Sequence, residues 1–257
     1  MYQAKRLLVG LIKKLRVLSS VSVRLTKLTG KSKFPVHPKH LISLTPWFEK
    51  YLSKNDVVLD LGCGNGQNSL FAAGKVKMVY AVDANQEQLG FARRDGQDRK
   101  TKNVIFGSVD LEKKLPFANQ QFDVVLFLDV LEHLNNRVLA LNEVTRVLKK
   151  GGRLFLSVPN RDTKWKRLQE KYVINSFTDP DHKVEYTKTE AEDICRQAGL
   201  IVEETMPIVF DTPWAPVIDL VGGFSLPLYR FLTKLKISAA AAHPEETIGF
   251  RLVVKKH

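Results

Sequence analysis

Residues 57–66, Val-Val-Leu-Asp-Leu-Gly-Cys-Gly-Asn-Gly, constrain this chain more than any other stretch. An apolar run that opens into closely spaced glycines reads as a buried strand turning sharply before a helix. Bare backbone at such a turn can approach a ligand closely. The spacing is G-x-G-x-G. A dinucleotide fingerprint would place a further glycine or alanine at position 67, where this chain has Gln67. A second apolar run then ends in Val82-Asp83-Ala84, and a carboxylate at that point suits the hydroxyls of a ribose on a nucleoside-like ligand.

From residue 55 onward, short β-branched runs alternate with helix-length segments. Asp56–Leu61, Met78–Val82, Val104–Phe106, Phe122–Leu128 and Arg153–Val158 read as buried strands because they are nearly continuous apolar runs. Ser69–Ala73, Gln86–Arg94 and Glu132–Lys149 read as the helices between them, the last ending before Gly151 and Gly152. This alternation predicts an α/β fold with a doubly wound, mostly parallel sheet covered by helices on both faces. Thr187–Ala198 adds a helix with Gly199 past its end, and Ile201–Val209 and Thr247–Val254 complete a seven-stranded sheet. The span between these last strands, residues 210–245, is far longer than a hairpin needs. It holds Trp214, Phe224, Tyr229 and Phe231 among many aliphatic residues, an apolar helical insert expected to cap the domain, line a pocket for a hydrophobic substrate or touch lipid.

The formal charge is +13, and its placement matters more than its size. Residues 1–40 contain ten Lys or Arg and no acid, leaving 30 basic against 27 acidic residues in the remainder. Leu7, Leu8, Leu11, Ile12, Leu15 and Leu18 fall on one helical arc, with Lys5, Arg6, Lys13, Lys14 and Arg16 outside it. The organisation expected is a basic amphipathic extension over 1–40 followed by one domain over 41–257. Residues 1–30 are a candidate contact for an anionic membrane surface. Packing of this helix on the domain body, an RNA contact and a targeting role are the alternatives.

No stretch approaches the ~18 apolar residues of a spanning helix, and Leu7–Ile12 is shorter than the core of a signal peptide. Cys63 and Cys195 cannot build a disulfide framework, so a reduced, cytoplasmic setting is expected, peripheral to the membrane if the extension binds lipid. Gly30-Lys31-Ser32 ends like a phosphate-binding loop, but Leu25 stands where its leading glycine belongs. His37 and His40 flank Pro38 without cysteine companions and read as loop residues.

The glycine turn and Asp83 are followed by Val109-Asp110-Leu111, Leu115-Pro116-Phe117, Phe122-Asp123-Val124-Val125, Asp129-Val130-Leu131-Glu132-His133-Leu134 and Leu148-Lys149-Lys150-Gly151-Gly152-Arg153-Leu154. In this order and spacing, over roughly residues 55–209, the chain resembles the class I S-adenosylmethionine-dependent methyltransferases. The resemblance implies their Rossmann-like fold and S-adenosylmethionine as cofactor. It further implies that Gly62, Cys63 and Gly64 line the methionine part, with Asp60 helping to hold its charged end. Asp83, followed by Ala84, would take the ribose hydroxyls, Asp110 with Leu111 would meet the adenine, and Leu128 with Asp129 would form the wall beside the sulfonium. Cys63 reads as a small filler and not a nucleophile.

Asp129–Leu134 and Asp181-His182-Lys183-Val184-Glu185-Tyr186-Thr187 also resemble the branch that includes ubiquinone-biosynthesis O-methyltransferases and other small-molecule methyltransferases. That implies methyl transfer to oxygen on a lipophilic or membrane-presented small molecule, with His133 or His182 as the candidate base. The same residues resemble the metal-dependent 2′-O-methyltransferases of small-RNA 3′ ends, so an RNA acceptor with a metal-assisted site is the first alternative. A non-catalytic cofactor-binding protein is the second. A helix starting near Asp129 would set Asp129, Glu132 and His133 on one face, with His182 able to close the set. Asp129 is shorter than the Glu of those RNA enzymes; no metal is expected, and the four groups are expected not to converge.

Overall fold

The computed structural model describes residues 2–32, 37–42 and 46–257, with the side chains of residues 2–8, 11, 13–16 and 40 left out. Two compact units emerge. The larger comprises residues 46–160, 178–206 and 249–257, the smaller 1–45, 161–177 and 207–248. The strands are β1 (Val57–Leu61), β2 (Met78–Asp83), β3 (Val104–Ser108), β4 (Phe122–Leu128), β5 (Leu148–Pro159), β6 (Leu200–Pro207) and β7 (Gly249–Lys256). The α-helices are α1 (Tyr2–Leu28), α2 (Gln67–Ala73), α3 (Gln86–Asp98), α4 (Arg137–Val147), α5 (Lys164–Lys171), α6 (Lys188–Gln197), α7 (Ala215–Phe224) and α8 (Leu226–Ala242).

The larger unit carries the seven-stranded sheet, in the order β3-β2-β1-β4-β5-β7-β6. β1 lies parallel to β2 and β4, β2 to β3, and β4 to β5, whereas β7 runs antiparallel to β5. The expected mostly parallel, doubly wound sheet is therefore present. Its strands read as continuous apolar runs because both faces are covered. Leu59, Val125, Phe127, Leu154 and Leu156 pack in one core, and Val58, Val124, Leu126, Phe155 and Val253 in another. Alternation with a period of two sends neighbours to opposite faces. The order reverses between β1 and β4, and in open α/β sheets ligands bind at the carboxyl ends of the strands flanking such a reversal.

The segment from Glu132 to Arg153 differs from its sequence reading, and the helix α5 has no counterpart in that reading. In place of a helix over Glu132–Lys149, a 3-10 turn spans Leu131–His133 and α4 begins only at Arg137. The interruption is held by side chains: Glu112 accepts from Asn135 N at 2.6 Å and Asn136 N at 2.9 Å, and Asn136 caps α4 by accepting from Leu139 N at 3.0 Å. At the far end Leu148 pairs with Phe122, so β5 starts five residues before Arg153, with a register shift between Phe122 and Val124. The helix expected at Thr187–Ala198 forms as α6. Thr187 accepts from Glu190 N at 3.2 Å while Glu190 accepts from Thr187 N at 2.8 Å. Losing this reciprocal cap in Thr187→Ala is expected to cost ~1 kcal/mol, read from urea denaturation.

In the smaller unit α1 packs on α7. Gly223 permits the approach, since a Cβ there would stand 2.8 Å from Leu25 Cβ. Asp219 of α7 accepts from Ser19 Oγ of α1 at 3.1 Å and from Tyr229 Oη of α8 at 3.3 Å, and pairs with His37 at 3.2 Å. Hydrogen bonding and the His37 imidazole hold its carboxyl below the usual carboxylate range against the opposing effect of burial. The expected apolar arc of the extension falls largely on Leu7, Leu8, Leu11 and Leu15, and its basic flank on Lys5, Arg6, Lys13, Lys14 and Arg16, whose side chains lie outside the described residues. Among the described residues, no helix is long and apolar enough to cross a membrane.

Candidate functional site

At the carboxyl end of β1 the chain turns through Gly62, Gly64 and Gly66, with φ of 71°, 51° and 77°. A side chain at Gly62 would overlap Val130, whereas at Gly64 nothing stands within 4 Å, so its backbone is open to a ligand. Gly62 N and Cys63 N donate to Val82 O at 2.8 and 3.0 Å, tying the turn to β2. Asp83 ends β2, and its carboxylate accepts from Gly64 N at 2.8 Å and Asn85 N at 2.7 Å. One acidic side chain thus fixes two consecutive turns and keeps lone pairs for a ligand.

Asp60 is buried beneath this turn and accepts from Ser69 Oγ of α2. Burial pushes it up to about 6, the Ser69 hydrogen bond opposes the rise, and Asp83 adds to it. The side chain expected at the charged end of the cofactor is therefore engaged with α2. Burial, then Asp60 and Asp83, push the Cys63 thiol well up, which accords with a filler and not a thiolate nucleophile. Asp110 is exposed and accepts from Glu112 N at 3.0 Å and Lys113 Nζ at 3.0 Å, while Leu111 is buried in the core.

β4 ends at Leu128, and Asp129 adopts φ 57°, a left-handed conformation that redirects the chain. Its carboxylate accepts from Ser157 Oγ at 2.7 Å, and its N–H donates to Ser157 O at 3.1 Å. Beyond it Glu132 is buried, and its Oε2 has no partner among the described residues. His182 Nε2 stands 3.9 Å from Glu132 Oε1, and His182 Nδ1 lies 2.9 Å from Oε1 of the buried Glu185. Lys183 N donates to Glu132 O at 2.8 Å, which brings the 178–186 segment to the end of β4. The rings of His133 and His182 meet edge to face with centroids 4.8 Å apart. Burial, then the charge of Asp129, pushes Glu132 up to about 8.

Three of the four groups Asp129, Glu132, His133 and His182 come together. One ligand atom each from Glu132, His133 and His182 lies within 4.8 Å of the others, while Asp129 turns to Ser157. One carboxylate and two imidazoles are a suitable donor set for a divalent transition metal, and the partnerless Glu132 Oε2 is an oxygen that a cation would satisfy. Sequence reading left Ser157 and Glu185 without roles. Ser157 stands inside an apolar strand, and Glu185 inside a loop, so neither carries a local signal. Tyr186 is a further such residue: its buried Oη has no partner among the described residues.

Residues 52–199 match the family described as a methyltransferase domain. The ubiquinone biosynthesis O-methyltransferase of Hydrogenovibrio crunogenus is 28% identical over 163 residues, 62% of this chain and 67% of that protein. The protein of the same name from Aeromonas salmonicida is 28% identical over 153 residues, 57% of this chain and 63% of that one. The chain thus spans about two thirds of the length of the curated relatives it matches. A solved S-adenosylmethionine-dependent methyltransferase from Methanosarcina mazei superposes with a TM-score of 0.58 at 17% identity, covering 84% of this chain and 99% of that one.

Proposed function

The chain belongs to the methyltransferase-domain family and is an S-adenosylmethionine-dependent enzyme, and from that premise we propose that it methylates an oxygen atom of a lipophilic, membrane-presented small molecule. S-adenosylmethionine supplies a methyl group on a sulfonium, which an acceptor oxygen can take when the two are held in line. Gly62, Cys63 and Gly64 would line its methionine part above Asp60, with Asp83 and Ala84 at the ribose, Asp110 and Leu111 at the adenine, and Leu128 and Asp129 beside the sulfur.

The observation that carries the oxygen acceptor is the histidine cluster beside Asp129. With Nδ1–H donated to Glu185, His182 presents the lone pair of Nε2 on the Glu132 side, oriented to take the proton of a hydroxyl. A divalent cation on Glu132, His133 and His182 would occupy that Nε2 lone pair and polarise the hydroxyl in place of the base, so the two uses of the cluster exclude each other. The relatives named for ubiquinone biosynthesis support a lipophilic acceptor, as do the apolar side chains exposed on the smaller unit.

Labelled S-adenosylmethionine, offered with an alkylated catechol in detergent or with a short RNA, tests this. Label in the catechol is expected. Label in the RNA, or binding of S-adenosylhomocysteine with no transfer to any hydroxyl, would overturn it. Asp83→Ala is expected to weaken S-adenosylhomocysteine by about ten- to a hundred-fold in calorimetry, since hydrogen bonds to a charged group contribute ~1.5 to 3 kcal/mol. Unchanged affinity would remove Asp83 from the site.

A further inference from the structure

The two units differ sharply in charge. The smaller contains 18 Lys and Arg against 6 Asp and Glu, the larger 22 against 21. Large apolar side chains left in solvent concentrate in the same smaller unit. On α8, Leu228, Phe231 and Leu235 are 47%, 56% and 52% exposed. Their spacing of three and four residues aligns them along one edge of the helix, while Tyr229 and Ala240 point to the unit's interior. Arg230 and Lys234 are exposed beside that edge, and α8 contains no acidic residue. Phe224 at the end of α7 is also exposed, and on α1 the exposed Val17, Val21 and Leu28 share an edge with Arg24.

We propose that the smaller unit docks on an anionic lipid bilayer, with Leu228, Phe231 and Leu235 entering the boundary between headgroups and acyl chains and Arg230 and Lys234 meeting lipid phosphates. Charge complementarity selects this occupant. A second copy of the chain would bring the same excess of positive charge to the contact and be repelled. A nucleic acid would use the charge but leave Leu228 and Leu235 against water. A bilayer with anionic headgroups uses both. The proposal rests on the reading of a membrane-presented acceptor for its purpose, but its measurement needs neither methyl donor nor acceptor, so docking and methyl transfer can fail separately.

Cosedimentation of the full chain with phosphatidylcholine vesicles, with and without phosphatidylglycerol, is the test. The chain is expected to pellet with the anionic vesicles about tenfold more than with the neutral ones at low salt, and less as salt rises. The Phe231→Ser and Leu235→Ser double variant is expected to lose about tenfold at both low and high salt. The Arg230→Glu and Lys234→Glu double variant is expected to lose about tenfold at low salt only. All four positions are exposed, and unchanged affinity for S-adenosylhomocysteine verifies that the variants fold. The lipid and salt dependence of the unaltered chain does not rely on them. A full chain that stays in the supernatant with anionic vesicles at low salt overturns the proposal, as does vesicle binding indifferent to both double variants. Self-association or RNA binding that the apolar double variant abolishes, with vesicle binding retained, assigns the surface to those partners instead.

Discussion

His182→Ala is expected to lower the turnover of methyl transfer by about 10²–10⁴-fold, the contribution of a positioned general base, with affinity for S-adenosylhomocysteine unchanged. His182 is singled out over its neighbour His133 by its support. Glu185 is buried, accepts from Thr178 N at 2.6 Å and faces His182 Nδ1 at 2.9 Å. The carboxylate is thereby held, and it fixes both the ring plane and the tautomer that leaves Nε2 free. His133 packs its ring against His182, with centroids 4.8 Å apart.

Glu185 acts through His182 and is a positioning residue. Glu185→Gln can still accept the Nδ1–H, but through a weaker, uncharged hydrogen bond that holds the ring less firmly, so a smaller loss of about tenfold is expected. The readout that separates proton transfer from support of the fold is the division between kcat and KM, measured with labelled donor and an alkylated catechol. A fall confined to kcat supports the assignment. Unchanged turnover in His182→Ala, or loss of S-adenosylhomocysteine binding along with turnover, would make the histidine a structural residue.

The parts of this site legible in the sequence are those whose geometry is local. The glycine turn after β1 and Asp83 at the end of β2 could be located because strand, turn and carboxylate lie within one βαβ unit. The joining of His182 to Glu132 and His133 depends instead on a return of the chain to the end of β4 across some fifty residues, held by Lys183 N on Glu132 O. The family resemblance suggested that His182 could close the set, and helical spacing placed Asp129 in the same group. The structure turns Asp129 away, because its left-handed backbone and Ser157 claim the carboxylate. The expected helix over Glu132–Lys149 carried no internal proline or glycine to stop it. What breaks it is Glu112, from a different loop, binding the backbone of Asn135 and Asn136. The division of the domain was equally hidden. Residues 161–177 join the N-terminal segment and the 207–248 insert in one helical unit, and association of three distant segments leaves no local periodicity to read.

Glu132→Gln is expected to leave the protein little changed near pH 5 and to stabilise it by about 3 kcal/mol near pH 9. Burial and the nearby charge of Asp129 push Glu132 up to about 8, and its Oε2 has no partner among the described residues. Below the ordinary carboxyl value the folded and unfolded chains both hold the proton, and ionisation costs the fold nothing. As pH rises from there toward 8 the unfolded chain releases the proton while the folded chain keeps it, so stability falls; above 8 the full penalty is present. At ~1.4 kcal/mol per pH unit the whole shift would be worth about 5 kcal/mol, and relaxation of the ionised carboxylate reduces this. Glutamine keeps the shape and removes the titration. Urea denaturation of both proteins in EDTA, near pH 5 and near pH 9, measures the difference, and a gap independent of pH would mean that Glu132 does not titrate in this range. Repeating the pair with added zinc or manganese separates the two uses of the cluster. A cation held by Glu132, His133 and His182 would neutralise the carboxylate and stabilise the unaltered chain near pH 9, and it would do so much less for the glutamine variant.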